Sequence, residues 1–232
     1  MSLICKFRSF RQKYVVQQRR PQEYLFNKYY AHLIDPFFTK LVYDMRLTPN
    51  MVTVIAGLFG IGAGLSFIFE QWILGAILLQ LHHLMDGADG NLARLTNRCS
   101  DFGAKLDQWV DQIVRLVLFV SITFVVDVPM WAKVLFVATI YIDVIVVHKF
   151  VLPFMRKYTI VRSKWKQWFF SRGIIPAFDI FLIYFLISLF AIINNLEMLV
   201  FIVIVGKNLD WLYRVWECLK SKYLYQVKHT ET

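Results

Sequence analysis

The run Leu81–Leu95 reads LHHLMDGADGNLARL and sets carboxylates at Asp86 and Asp89 beside Gly90, Ala93 and Arg94. Asp86, Asp89, Gly90 and Ala93 stand at i, i+3, i+4 and i+7, one face of a helix. A little further on, Gly103, Asp107 and Asp111 stand at i, i+4 and i+8, again one face. If the two faces meet, four carboxylates share one small volume, which like-charge repulsion forbids unless cations enter with them. An all-oxygen donor set suits Mg²⁺ or Mn²⁺, and also Ca²⁺. Four carboxylates suffice for two ions if Asp86 and Asp107 bridge. Two metals with an arginine nearby can stabilise the oxygens of a phosphoryl transfer. Gly90 and Gly103 would let the two helices, or a nucleotide, come close.

The surrounding chain must bring these faces together inside a bilayer. The 232 residues are 58% hydrophobic, with 21 Phe, 11 Tyr and 7 Trp, the aromatic content of a chain with membrane interfaces to anchor. The net charge of +10 does not point to nucleic acid, because the basic residues fall between apolar segments rather than on one polar face. Cys5, Cys99 and Cys218 are too scattered for a disulfide framework or a zinc site. The N-terminus has no long apolar core followed by small residues, so no signal peptide is expected.

A basic tail runs to Arg20. Apolar or aromatic residues then recur at spacing four in two rows, Leu25, Tyr29, Leu33, Phe37, Leu41 and Met45, and Phe26, Tyr30, Ile34, Phe38 and Val42. That pattern predicts an amphipathic helix, lying in the interface or packed across the other helices, with Pro36 opening its second half. Pro49 and Asn50 open a first span over Met51–Phe69. Trp72–Met85 spans only if Asp86–Arg94 continues it, and Leu116–Val126 only if Gly103–Arg115 precedes it in the same helix. Trp131–Val147, Ile174–Ile193 and Leu196–Leu212 complete the set. Lys and Arg crowd the N-terminus, Arg94–Lys105, Arg156–Arg172 and the tail from Arg214, whereas the alternate loops contain only Lys133. The positive-inside rule then places both termini, and the Asp site, on the cytoplasmic side of six spans. The expected fold is an all-α integral membrane protein: an interfacial region over 1–47, a six-helix domain over 48–217 and a tail over 218–232.

Asp86-x-x-Asp89-Gly90-x-x-Ala93-Arg94, eight residues, then Gly103-x-x-x-Asp107-x-x-x-Asp111, resembles the complete signature of the CDP-alcohol phosphotransferase family. The PNMVT run from Pro49 is similar to the Pro-Asn-x-x-Thr that family places before its first span. The resemblance implies attack of an acceptor hydroxyl on the β-phosphorus of a CDP-alcohol with departure of CMP. It implies one Mg²⁺ on Asp86, Asp89 and Asp107 and a second on Asp86, Asp107 and Asp111, with Mn²⁺ an alternative. Asp111 would take the acceptor proton. Asp89, Gly90, Ala93, Arg94 and Gly103 would line the CMP and diphosphate pocket, joined by Asn50 and Thr53.

For the acceptor, Arg115 inside the third span can bind a phosphate or pair with Asp143. Arg162, Lys164 and Arg172 in RSKWKQWFFSR are further candidates, although such charges are more often solvated or lipid-facing. Lys207 and Asp210 could pair with Asp179, and all three are expected to be structural; His82 and His83, just ahead of the site, are expected either to support the metal-binding residues from behind or to serve packing. Phosphatidylglycerophosphate synthases usually show Pro and Lys after the third and fourth aspartates, where this chain has Gln108 and Gln112. Members that use inositol phosphate tend to show Arg at the second of these positions. The opening RRPQEYLFNKYY and the FGAKLD phrase look more like members related to di-inositol-phosphate-type synthases.

The expected partners are a CDP-alcohol, with CDP-diacylglycerol preferred, an acceptor alcohol and membrane lipids, with a homodimer compatible. A soluble CDP-headgroup donor is the alternative. A membrane prenyltransferase fits less well, since its Asp clusters follow another pattern. So does a divalent-cation transporter, whose acids belong near the midplane and would not tolerate Arg94 beside the ion.

Overall fold

The computed structural model describes residues 3–15 and 22–230. Arg19 and Arg20 of the basic tail and the last two residues lie outside them. The described chain is helical apart from one short strand pair. Its elements are α1 (Leu3–Tyr14), β1 (Glu23–Tyr24), a π-helical turn (Asn27–Ala31), α2 (His32–Asp44), α3 (Pro49–Ile68), α4 (Trp72–Leu95) and α5 (Asp101–Val125). Then follow α6 (Met130–Val146), a second π-helical turn (Val147–Val151), α7 (Leu152–Lys157), α8 (Lys164–Ser171), β2 (Ile174–Ile175), α9 (Ile180–Ile192) and α10 (Leu196–Thr230).

Helix starts follow local chemistry. Thr48 caps α3 by accepting from the Met51 backbone N–H at 3.3 Å, with Pro49 in the first turn. Ser100 caps α5 by accepting from Gly103 N–H at 3.0 Å. The polar neighbours of the two short apolar segments continue the same helices, so the Asp86–Arg94 run lies on α4 and the Gly103–Arg115 run on α5. Among the described residues, Pro49–Ile68, Asp101–Val125 and Met130–Lys157 are long and apolar enough to cross a membrane. Leu58, Ile73, Phe124 and Val134 are each more than 60% exposed. Such a belt of bare apolar side chains marks a surface that faces lipid rather than water.

The expected fifth span is shorter than the sequence suggests. Ile174 and Ile175 form β2, Pro176 interrupts the run, and the helix starts only after Asp179, whose backbone is extended. Thirteen residues of helix cover about 20 Å, less than a bilayer core. The basic tail carries α1, which the sequence reading did not assign, and its Phe7 and Phe10 rings lie 6.1 and 5.1 Å from Phe37 of α2.

The double stripe divides cleanly. Leu33, Phe37, Leu41 and Met45 are exposed, whereas Val42 is buried in a cluster with Val52, Ala56, Met85, Ala88 and Leu92 of α3 and α4. One face of α2 thus packs across the other helices, as one of the two expectations had it, while the opposite face is bare. The larger core joins α3, α4, α5, α6, α9 and α10 around Phe67, Phe119, Phe136 and Leu199. β1 pairs in parallel with β2. Beside the pair, Gly173, at φ 70°, accepts from the Glu23 N–H at 3.2 Å and from Lys28 Nζ at 3.3 Å.

α3 approaches α5 through glycines. A Cβ at Gly57 would stand 2.6 Å from Val110 Cγ1, one at Gly64 2.8 Å from Val117 Cγ1, and one at Gly60 would collide with Val114. At Gly62 a Cβ would meet only Leu78, at an ordinary 3.4 Å. Gly60→Val is expected to destabilise the fold by about 1–3 kcal/mol through overpacking. Gly62→Ala should be neutral, or stabilising by up to about 1 kcal/mol through helix propensity. Thermal unfolding of the purified protein in detergent would compare the pair; equal effects would contradict the glycine contact.

Candidate active site

α4 turns Asp86 and Asp89 toward α5, which presents Asp107. One carboxylate oxygen from each of the three lies within 4.8 Å of the others. α3 adds Thr53, whose hydroxyl donates to Asp89 Oδ2 and also to the Pro49 carbonyl at 3.2 Å. Asp89 is 6% exposed and Thr53 4%, so this bond fixes one carboxylate of the cluster from a third helix. Asp111, one turn beyond Asp107, lies outside the three-residue group, and Arg115 approaches it at 3.8 Å.

Three carboxylates this close repel strongly in a poorly hydrated site. The donor set is oxygen only, so it fits a hard divalent cation better than a thiolate- or imidazole-seeking metal. No His or Cys belongs to the cluster.

A cavity of about 210 Å³ adjoins the cluster between α3, α4 and α5. Asn50, Thr53, Asp89, Gly90, Ala93, Arg94, Gly103 and Asp107 all line it. Every residue singled out for the CDP-alcohol pocket therefore lies on one wall or another of a single cavity. Gly103 has a steric reason: a Cβ there would sit 3.0 Å from Asn50 Oδ1 and 3.1 Å from Ser100 Oγ. Arg94 is held by Asn91, whose side-chain oxygen accepts from Nη2 at 2.9 Å.

The acceptor candidates separate. Arg115 lies 3.8 Å from Asp111 and does not pair with Asp143, which instead meets Lys207 at 2.7 Å. Lys207 also donates to the Phe178 carbonyl at 3.0 Å, and Asp210 pairs with Arg214 at 2.7 Å, so neither pairs with Asp179. Arg162 lines a different cavity, of about 250 Å³, with Lys166 and Arg214, and that cavity shares no lining residue with the first. Arg172 lines neither: its guanidinium lies 3.5 Å from the Trp168 ring centre and donates to the Trp168 carbonyl at 3.3 Å. Lys166 forms a buried ion pair with Glu217. His82 packs as expected, with Nδ1 3.0 Å from the Ala56 carbonyl.

Arg98 and Ser100 also line the first cavity and were not singled out from sequence. Ser100 was detectable as a helix cap ahead of Gly103; Arg98 carries no pattern of its own. Asn91 was detectable only by its i, i+3 spacing to Arg94.

The chain matches the CDP-alcohol phosphatidyltransferase family model over residues 46–212. This chain belongs to the CDP-alcohol phosphatidyltransferase family. It is 42% identical over 69 residues to a bifunctional IPC transferase and DIPP synthase of Aquifex aeolicus, covering 30% of this chain and 16% of that one. It is 35% identical over 74 residues to the archaetidylinositol phosphate synthase of Pyrococcus horikoshii, covering 32% and 39%. It is 32% identical over 93 residues to the phosphatidylinositol phosphate synthase of Corynebacterium glutamicum, covering 40% and 42%. The match spans less than half the length of each of these relatives.

Metal binding and repulsion predict opposite signs for one substitution. Mn²⁺ or Mg²⁺ at about a hundred times its Kd should stabilise the protein by roughly 2.7 kcal/mol. Asp86→Asn and Asp107→Asn should lose that gain. In chelator, both should unfold at or above the wild-type temperature, because one of three mutually repelling charges is gone. Differential scanning fluorimetry with and without the ion reads both effects.

Proposed function

We propose that this chain transfers a phosphoalcohol group from a CDP-alcohol to the hydroxyl of a polar acceptor, releasing CMP, in phospholipid synthesis. The observation that carries this reading is the Asp86–Asp89–Asp107 cluster, of which Asp89 and Asp107 line one cavity together with Gly90, Ala93, Arg94 and Gly103 of the motif. The nucleotide and diphosphate occupy that cavity, where Gly90 and Gly103 leave room for them and Arg94 meets phosphate charge. Asp86, Asp89 and Asp107 would hold one Mg²⁺, and Asp86, Asp107 and Asp111 a second. Bound there, the ions neutralise the diphosphate and stabilise the charge that develops on CMP.

The chain's own groups then act as follows. The acceptor oxygen forms a bond to the β-phosphorus while the bond from that phosphorus to the CMP oxygen breaks. The hydroxyl proton passes to the Asp111 carboxylate, and CMP departs with the electron pair of the broken bond. Arg115, 3.8 Å from Asp111, orients that carboxylate and meets anionic charge on the acceptor.

CDP-diacylglycerol is the preferred donor, a reading supported by the exposed apolar belt, because the lipid that would cover such a belt also dissolves this donor. The names of the Pyrococcus and Corynebacterium relatives favour a polyol acceptor of the inositol phosphate kind. A soluble CDP-headgroup donor is the second reading, favoured by the likeness to the bifunctional IPC transferase and DIPP synthase. On this reading the membrane domain over 48–217 crosses six times, through α3, α4, α5, α6, the Ile174–Ile193 segment, of which α9 alone is shorter than a bilayer core, and α10, with the Asp site and both termini on the basic cytoplasmic side. α2 lies in the interface with its exposed stripe toward lipid, and a homodimer is compatible with this arrangement.

Purified protein incubated with Mg²⁺ and a panel of CDP-donors and acceptors should release CMP, with product mass identifying the pair. CMP release from CDP-diacylglycerol supports the first reading, and release only from soluble CDP-headgroups the second. Asp111→Asn should lower turnover by about 10²–10⁴-fold, the worth of a general base, while CDP-alcohol binding persists. Near-normal turnover in that variant would refute the base assignment.

A further inference from the structure

The cavity that Arg162 lines, about 250 Å³ in volume, has no part in the transfer reaction. No residue of the carboxylate cluster or of the motif around it belongs to its wall. It lies where β1, the second π-helical turn, α7, α8, β2 and α10 come together. Apolar side chains make up most of that wall, among them Val147, Leu152, Ile160, Ile175 and Ala177.

Four charged residues interrupt the apolar lining. Lys166 is bound to Glu217, and Arg214 to Asp210 at 2.7 Å, so these charges are neutralised within the protein. Arg162 is different. Among the described residues it has no carboxylate partner, and its guanidinium lies 4.1 Å from the Phe170 ring centre. Glu217 is 4% exposed; Oε2 takes the Lys166 ammonium, while Oε1 has no hydrogen-bond partner among the described residues. A buried acceptor without a donor is costly. The wall thus offers one unpaired cation and one acceptor in need of an O–H or N–H.

The surroundings place this cavity at the headgroup level of a bilayer. Trp165 and Trp168 of α8 and Trp216 of α10 are each about half exposed. Arg172 lies over the Trp168 ring and Lys220 over that of Trp216. Tryptophans accompanied by cations mark the membrane interface. Leu152 and Met155 both line the cavity and are exposed, so its apolar wall continues onto the outer surface.

This chemistry selects the occupant. Pockets that enclose a whole small molecule run from roughly 300 to 1,000 Å³, so this one admits part of a larger molecule whose remainder stays in the bilayer. A nucleotide or sugar phosphate would set polar surface against an apolar wall. A fatty acid supplies a chain and an anion, but its carboxylate would meet Glu217 with no proton to donate. A choline headgroup has no O–H or N–H either. A phospholipid with a hydroxylated headgroup meets every requirement: its phosphate pairs with a guanidinium, its hydroxyl donates to Oε1, and one chain fills the apolar part.

We propose that this cavity binds one acyl chain of an anionic phospholipid with a hydroxylated headgroup, the phosphate held by Arg162 and a headgroup hydroxyl by Glu217. The site is separate from the nucleotide cavity, and lipid binding alone tests it, whatever the chain transfers.

Unfolding temperature is measured for the purified full chain in mixed micelles of detergent and one lipid. Phosphatidylglycerol, phosphatidylmethanol and phosphatidylcholine are compared with the same acyl chains at equal mole fraction. Phosphatidylglycerol should raise the wild-type value above that in phosphatidylcholine by about 3 °C or more, the shift for a site filled at about ten times its Kd. Phosphatidylmethanol, which is anionic but has no hydroxyl, should give a smaller rise. Arg162→Gln, which removes the cation, and Ala177→Leu, which fills the cavity, should abolish the difference between phosphatidylglycerol and phosphatidylcholine. Each variant's own value in phosphatidylcholine is its reference, so a general loss of stability cancels. Arg172→Gln removes an interfacial cation outside the cavity and should leave the difference intact. No difference in the wild type, or an equal loss in Arg172→Gln, would mean that only diffuse surface charge attracts the lipid and would overturn the proposal. Equal rises with phosphatidylglycerol and phosphatidylmethanol would overturn the hydroxyl contact with Glu217.

Discussion

Like charges must be held together at this site against their own repulsion, and the packing of α3, α4 and α5 is arranged around that demand. Three carboxylates within 4.8 Å of one another would push α4 and α5 apart if those helices were free to move. They are not free, because α3 packs against both. Its glycines let Val110, Val114 and Val117 of α5 come to within contact of its backbone, and its Thr53 binds Asp89 directly. Close packing transmits strain rather than absorbing it, so the three helices behave as a rigid cage. A cation would then find its ligands assembled in advance, with little binding energy spent on gathering them.

Much of this cage was legible in the sequence because helical periodicity places Asp86 with Asp89, and Asp107 with Asp111, whatever else the chain does. The continuation of two short apolar segments into their polar neighbours was legible too, because only the joined lengths can span. The glycines of α3 were not, since an uncharged apolar run does not announce which side meets another helix. Nor were β1 and β2: the pairing of Glu23 with Ile174 depends on segments far apart in the chain, and two-residue strands have no periodicity to detect. The shortening of α9 was partly signalled, by Pro176 and by Asp179 at its start. Arg162 and Arg172 looked alike as basic residues beside aromatics, but one lines a cavity and the other folds back on Trp168. That difference is decided by rotamer and neighbours, which a sequence pattern does not encode.

The second half of the chain spends its buried charges on itself. Lys207 with Asp143 ties α10 to α6, and Lys166 with Glu217 ties α8 to α10. Asn208 adds a bond to Thr139 at 2.9 Å across the same α6–α10 contact. Buried pairs of this kind add little net stability once desolvation is counted, but breaking one partner is expensive. Here they act as registers: a helix that slid by one residue along its neighbour would lose its partner.

The strand pair has a consequence for the order in which the molecule is assembled. β1 and Lys28 bind residues 172–175, so this end of the segment leading into α2 meets those partners only once most of the chain has been synthesised, although Tyr30 already reaches Gln80 of α4 at 3.0 Å. The α3–α5 cage draws only on earlier residues and can close first. A small cavity walled by Asn27, Asp35 and Phe181 must close afterwards. Long-range closures of this kind are slow relative to local helix formation. The contacts of the carboxylate cage can therefore form while the α2–α9 side of the site still waits for residues 172–181.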